Sequence, residues 1–342
     1  MRGSVLVVVA SVLLAAGCSS PEESGPPTEE PSGQRDPAPV LGASHKLFPD
    51  PVGKGVLLVT GPPEGEPSGD PLELWRWDGT AWSTVAAAGE VPPARSFFAG
   101  SYDAGREVVV LYGGDVADEE SATVWEWDGR SWTSQETTGP GPRLAAGMTY
   151  DADEGVSLLY GGDASGEISG ATWSWDGTRW QLLARRGPTP PRWPAAMVDG
   201  RDGGPLLVGG HQVADEDLPP ALGDTWTWDD GWTVVSSAGD NELLVNAEAI
   251  DHPELGTLLV GGSDLERANG DVLRWTGTAW EMLAEDVFPE RQAFGLAYDT
   301  GRDVVVLTGG VVEPGSTERH QDLWEWSGDP AEPAVRVVGG GS

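Results

Sequence analysis

A Trp-x-Trp phrase running into a turn comes back six times along this chain. Three copies are nearly identical and end on a third tryptophan: Leu74–Trp82, Val124–Trp132 and Thr172–Trp180, each with Asp-Gly at its centre. Three more drift: Thr225–Trp232, Leu273–Trp280 and Leu323–Gly328. A second phrase alternates with the first, an apolar run closed by Gly-Gly, at Gly113-Gly114, Gly161-Gly162, Gly209-Gly210, Gly261-Gly262 and Gly309-Gly310, recurring after 48, 48, 52 and 48 residues. A period near fifty means that one supersecondary unit is stacked on copies of itself, because a single unit cannot bury its apolar face alone.

The second unit shows what repeats. Arg95–Tyr102 is strand-like, bounded by Pro92-Pro93 before and Asp103-Ala104-Gly105 after, and Val108–Tyr112 is a β-branched run ending at the Gly pair. Thr123–Trp127 and a segment from Ser131 flank Asp128-Gly129, a dipeptide suited to tight hairpins because Gly accepts positive φ. Four short strands, here lettered A to D, thus form each unit. No segment of the repeat has helical period, so the class is all-β. Four-stranded units at this spacing make propeller blades, and the six Trp phrases predict six of them. The first is degenerate, with Gly55–Thr60 as strand B and Gly61-Pro62 in place of the Gly pair; the last ends with Ala334–Val338 as strand D. Each unit carries its own four strands, and the manner of ring closure is left open. Of the 17 tryptophans, all but Trp193 belong to the repeat. Residues i and i+2 of a strand share a face, so Trp125 and Trp127 are expected to wedge between neighbouring sheets rather than form a sugar platform.

The apolar run with Gly-Gly, the Pro-x-x-Arg or Pro-x-Arg lead into strand A and the aromatic on strand C resemble the Kelch-repeat family, with Trp where many Kelch repeats carry Tyr on strand C. The resemblance covers about residues 42–338 and implies a six-bladed Kelch-like β-propeller at 41–338, followed by a flexible 339–342.

The first 17 residues read as a signal peptide. Arg2 precedes an apolar stretch, Val5–Ala16, that is too short to span a bilayer. Leu13–Cys18 resembles a bacterial lipobox, with Ala15 where Leu is usual, and Cys18 is the one cysteine of the chain, so a lipidated Cys18 is expected and disulfides within the chain are excluded. Residues 18–40, rich in Pro, Glu and Ser, read as the lipidated Cys and a tether of up to roughly 70 Å when extended. The expected address is extracytoplasmic, anchored to the bacterial cell membrane. With 55 acidic against 20 basic residues and a net charge of −35, the chain repels phosphate, which excludes nucleic acid and leaves the lipid as its contact with the membrane. Asp151–Gly155 lacks the remaining ligands of a calcium loop, and no cofactor or metal is expected.

Strands A and C run opposite to B and D, so the start of A, the end of B and the B–C loop share one face. Four units place an arginine seven residues before a fixed position: Arg95 before Tyr102, Arg143 before Tyr150, Arg192 before Asp199 and Arg291 before Tyr298. Units one and five have Gly42 and Leu243 there. The Kelch resemblance implies that such arginines line a binding mouth; an ion-pair network with the loop carboxylates, Asp115, Glu119, Glu120 and Asp163 among them, is the structural alternative. Unit four departs twice, with Trp193 after Arg192 and His211 after its Gly pair. The ligand-binding candidates are therefore Arg95, Arg143, Arg192, Trp193, His211 and Arg291. The reading is a monomeric, non-catalytic binding module for a glycan, peptide or partner protein. The alternative is a carbohydrate enzyme of the Kelch mutarotase or epimerase type. The copper-oxidase chemistry also found on Kelch-like propellers is excluded, because it needs a Tyr–Cys crosslink and clustered His, and this chain has four scattered His.

Overall fold

A computed structural model describes residues 38–42, 44–53, 55–61, 70–116, 119–192, 195–211, 222–237, 245–263, 267–313, 316 and 318–337. The signal peptide, Cys18, nearly all of the tether, Trp193 and residues 338–342 lie outside the described residues.

Six four-stranded antiparallel sheets follow one another along the chain, each made of consecutive strands paired A–B, B–C and C–D. In blade two these are Ala99–Asp103, Val108–Tyr112, Val124–Trp127 and Trp132–Gln135. The six A strands, His45–Pro49, Ala99–Asp103, Gly147–Asp151, Ala196–Val198, Glu248–His252 and Gln292–Asp299, stand side by side in chain order, and the last packs against the first. The molecule is a six-bladed propeller, and among the described residues its helical content is one 3-10 turn at Arg201–Gly203. Among the described residues no strand is exchanged at the seam. Packing closes the ring: Leu41, Leu47, Val56, Leu58, Trp75, Trp77 and Trp82 of blade one share a core with Ala297, Val306 and Leu323 of blade six. Ala38 packs against this core, so the propeller takes in a residue expected to belong to the tether.

Strand B is buried on both faces, one row of side chains serving each neighbouring blade; Leu57 and Val59 join the blade-two core while Val56 and Leu58 join the closing one. The Trp-x-Trp face of each blade meets the blade before it. Trp125, Trp127 and Trp132 pack on blade one, Trp175 and Trp180 on blade two, and Trp326 on blade five. Across the C–D hairpin the last strand-C indole faces the strand-D indole, with ring centroids 5.5, 5.4, 5.3, 5.4 and 5.1 Å apart in blades one to five. Blade six has no strand-D tryptophan, and Phe288 takes that place 6.4 Å from Trp326. Burying one indole removes roughly 200 Å² of surface, an upper bound of about 5 kcal/mol, against about 1 kcal/mol for the ring-pair geometry. Burial therefore stabilises each wedge more than stacking does.

The Gly pair is required by close approach between blades. A Cβ on Gly113 would lie 2.5 Å from the carbonyl oxygen of Arg143 in the next blade, and one on Gly161 would lie 2.7 Å from that of Arg192. The N–H of Gly114 donates to the same Arg143 carbonyl at 2.8 Å. Strand A starts later than its sequence suggests. Arg95–Phe98 is a bent lead-in, because Phe97 takes a left-handed φ of 54°, and Ala145 (51°), Asn246 (55°) and Ala293 (54°) repeat the bend. The bend lets Ser96 exchange two backbone hydrogen bonds with Asp115, at 3.0 and 2.8 Å. It also points the Phe97 carbonyl at the N–H of Ala145 in the next blade, 2.7 Å away.

His45 sits in the seam, its Nδ1 3.3 Å from the Gly42 carbonyl and its Nε2 3.2 Å from the Thr308 carbonyl. Burial pulls its imidazole down to about 4 although both carbonyls favour the charged form. The folded value lies below the unfolded one, so the unfolded chain takes up a proton first as pH falls from about 6.5. Stability should therefore decline from pH 6.5 toward pH 4 by at most about 1.4 kcal/mol per unit from this group, and be flat above neutrality. Urea denaturation across that range should show a steeper pH dependence for the wild type than for His45→Gln. Gly113→Ala should cost clearly more than Gly166→Ala in the same measurement. Gly166 has equally positive φ (88°) but open space at its Cβ position, so its loss reads the conformational cost alone, about 1 kcal/mol.

Candidate functional site

The lead-in arginines do not converge as free guanidinium groups. Arg95, Arg192 and Arg291 are 1% exposed and Arg143 is 9% exposed. Each of the three deepest turns its side chain onto the first glycine of its own blade's pair: Arg95 Nη1 donates to Gly113 O at 3.0 Å, Arg192 Nη1 to Gly209 O at 3.1 Å and Arg291 Nη1 to Gly309 O at 2.9 Å. After Arg95, Arg143 and Arg291 the left-handed residue two positions on bends the backbone toward the neighbouring blade.

In blades four and six an acid completes the arrangement. Arg192 forks onto Asp224, through Nη1 to Oδ1 and through Nη2 to Oδ2 at 3.0 Å. Arg291 forks onto Asp322 at 2.9 and 3.4 Å. The same carboxylates accept from the first strand-C indole, Trp226 Nε1 at 2.7 Å and Trp324 Nε1 at 2.8 Å. Burial pushes both carboxyls up, but hydrogen bonds to the arginine, its charge and the indole bond outweigh it and hold them below the usual carboxylate range. Arg192 and Arg291, expected to face a ligand, are thus held by the blade itself. Their partners are the acids that immediately precede strand C in each blade.

Blades two and three lack that acid. The position two residues before the Trp-x-Trp phrase, or before its drifted counterpart, reads Glu73, Thr123, Ala171, Asp224, Asp271 and Asp322 from blade one to six. In blade three Ser169 Oγ accepts from Arg143 Nη2 at 3.2 Å. In blade two nothing described replaces the carboxylate. Arg95 has its bonds to Gly113 O and, through Nε at 3.2 Å, to Pro93 O, and Nη2 has no partner among the described residues. Burial alone pulls its guanidinium down to about 10, so it stays charged at neutral pH. Trp125 Nε1 is buried and unpartnered as well.

Arg95 and Trp125 line a cleft of about 250 Å³ together with Val116, Glu119 and Glu120 of a small hairpin, Asp115–Val116 with Glu119–Glu120, and with Pro93, Ser121 and Thr123. Phe97, two residues after Arg95, is 49% exposed, an aromatic that sequence reasoning passed over. Of the six predicted site residues, the structure puts Arg95 at the cleft and Arg143 in the next blade. His211 is half-buried in blade four, and Trp193 lies outside the described residues. Thr123 and Trp125 were the residues missed. The signal was present: aligning the units on their Trp phrase shows the acid dropping out at Thr123.

If the Arg–Asp fork supports blade six, Asp322→Ala should leave a buried guanidinium uncompensated and cost about 3 kcal/mol in a urea titration. Ala171→Asp, which adds the missing acid beside Arg143, should be neutral or stabilising in the same assay.

No protein-family model matches the chain, and no curated protein matches it.

Proposed function

We propose that this chain is a non-catalytic, Kelch-like binding module that is lipidated at Cys18 and displayed outside the membrane on a tether, where its loop face captures a glycan, a peptide or a partner protein. The observation that carries the reading is the break in the repeat at blade two. There a cleft of about 250 Å³ opens beside a buried, charged Arg95 whose counterpart acid is missing. Binding sites on a repeat fold belong where the repeat departs from its structural pattern, since side chains that brace every blade are not free to recognise a ligand. The net charge of −35 supports an extracytoplasmic setting and electrostatic rejection of nucleic acid.

The test is a screen of the domain from residue 38 onward against glycans, peptides and cell-wall fragments by calorimetry. Saturable binding is expected. Glu119→Trp, an exposed change in the lining of the cleft, should weaken it at least tenfold, about 1.4 kcal/mol, with no change in unfolding temperature. Binding that ignores this substitution would move the site elsewhere on the loop face.

A further inference from the structure

Resting on the reading of blade two as a binding site, we infer that the cleft is a seat for the carboxylate of a small ligand, which takes the place that Asp224 and Asp322 fill in their own blades. Comparison among the blades carries the inference. In blades four and six the same three partners meet: an arginine fork, an indole N–H and a carboxylate that accepts from both. Blade two keeps the two donors, Arg95 and Trp125, in the same register and replaces the acceptor with Thr123. A buried cation without a counter-charge and a buried indole N–H without an acceptor are costly to keep, and two other blades show the remedy that the fold uses elsewhere. A carboxylate from solution would supply it with the geometry already built: bidentate recognition by the guanidinium, with the indole reinforcing one oxygen.

The surroundings narrow the ligand. Glu120 Oε2 accepts from Ser165 N at 3.2 Å and Ser165 Oγ at 3.4 Å, which directs that carboxylate to the blade-three hairpin and away from Arg95. Glu119 is exposed on the rim. A ligand that carries an ammonium or hydroxyl group beyond its carboxylate would meet this acidic rim favourably. A free α-amino acid, a peptide C-terminus and a uronic sugar acid share that chemistry, and the cleft volume holds a small one.

The experiment follows the Trp125 indole N–H by NMR in the soluble domain, assigned through Trp125→Phe. Propionate, L-alanine, the dipeptide Ala-Ala and D-glucuronate are titrated in turn, with propionamide as the uncharged control. The inference expects a saturable downfield shift of that one resonance in the millimolar range or tighter with at least one acid, and no shift with propionamide; the tightest arm names the source. Thr123→Asp should abolish the response and raise the unfolding temperature, because it installs the acid that blades four and six have. A silent indole with all four acids overturns the seat, as does a response that survives Thr123→Asp or that propionamide reproduces. The two readings fail separately. A ligand from the screen that binds equally well to Thr123→Asp keeps the module and removes the seat. An empty screen with a saturable propionate shift keeps the seat and faults the ligand classes offered.

Discussion

One joint recurs around this ring, and the remaining structure hangs from it. The backbone carbonyl of the lead-in arginine rests against the glycine that ends strand B of the preceding blade, the first of the pair at Gly113 with Arg143, Gly161 with Arg192 and Gly261 with Arg291, and the single Gly61 with Arg95. The side chain of the same arginine turns back to its own blade and, in blades two, four and six, ties down the carbonyl of that blade's first glycine. One residue therefore fixes where a blade begins and how close its predecessor may come. Any side chain at the glycine would push the blades apart, and the guanidinium is buried because the joint needs it there.

Outside the joint, apolar wedging sets the spacing. The indoles fill the space between twisted sheets, and several of their N–H groups are met where the neighbouring blade offers an acceptor. Glu126, between Trp125 and Trp127, points the opposite way and accepts from Trp175 Nε1 of the next blade at 2.8 Å. Glu325 does the same for Trp77 across the seam at 2.7 Å. Each of these glutamates also pairs with an arginine from the A–B hairpin of its own blade, Arg106 or Arg302, whose guanidinium lies over the Asp-Gly turn of the next blade at Gly177 or Gly79. The seam between first and last blades is thus built like an internal junction, which is why no exchanged strand is needed to close it.

A repeat fold reports its own exceptions. Four blades put an acid ahead of strand C, and in two of them that acid neutralises the buried arginine. Blade two keeps the arginine without the acid and opens a cleft at the same place. Burial makes the difference chemically useful: a guanidinium that is 1% exposed interacts with an arriving anion in a poorly screened setting, unlike one on an open rim.

The sequence by itself determined the class, the blade count and the role of the tryptophans. These follow from local rules: period-two burial, positive φ at Gly and the cost of wetting an indole act over a few residues and repeat with the chain. It also marked the arginines as special. What it did not decide is which way they point. Arg95–Tyr102 reads as a strand between turn signals, yet Phe97 bends it, since two hydrogen bonds between Ser96 and Asp115 and one to the next blade outweigh the cost of a left-handed φ. The partner of Arg291 is Asp322, 31 residues away, and an alignment of arginines alone gives no hint of it. Pairing across a blade and contact between blades depend on how the sheets sit against one another. Only the tertiary structure could therefore show that two arginines are neutralised within their blades and that the one in blade two is not.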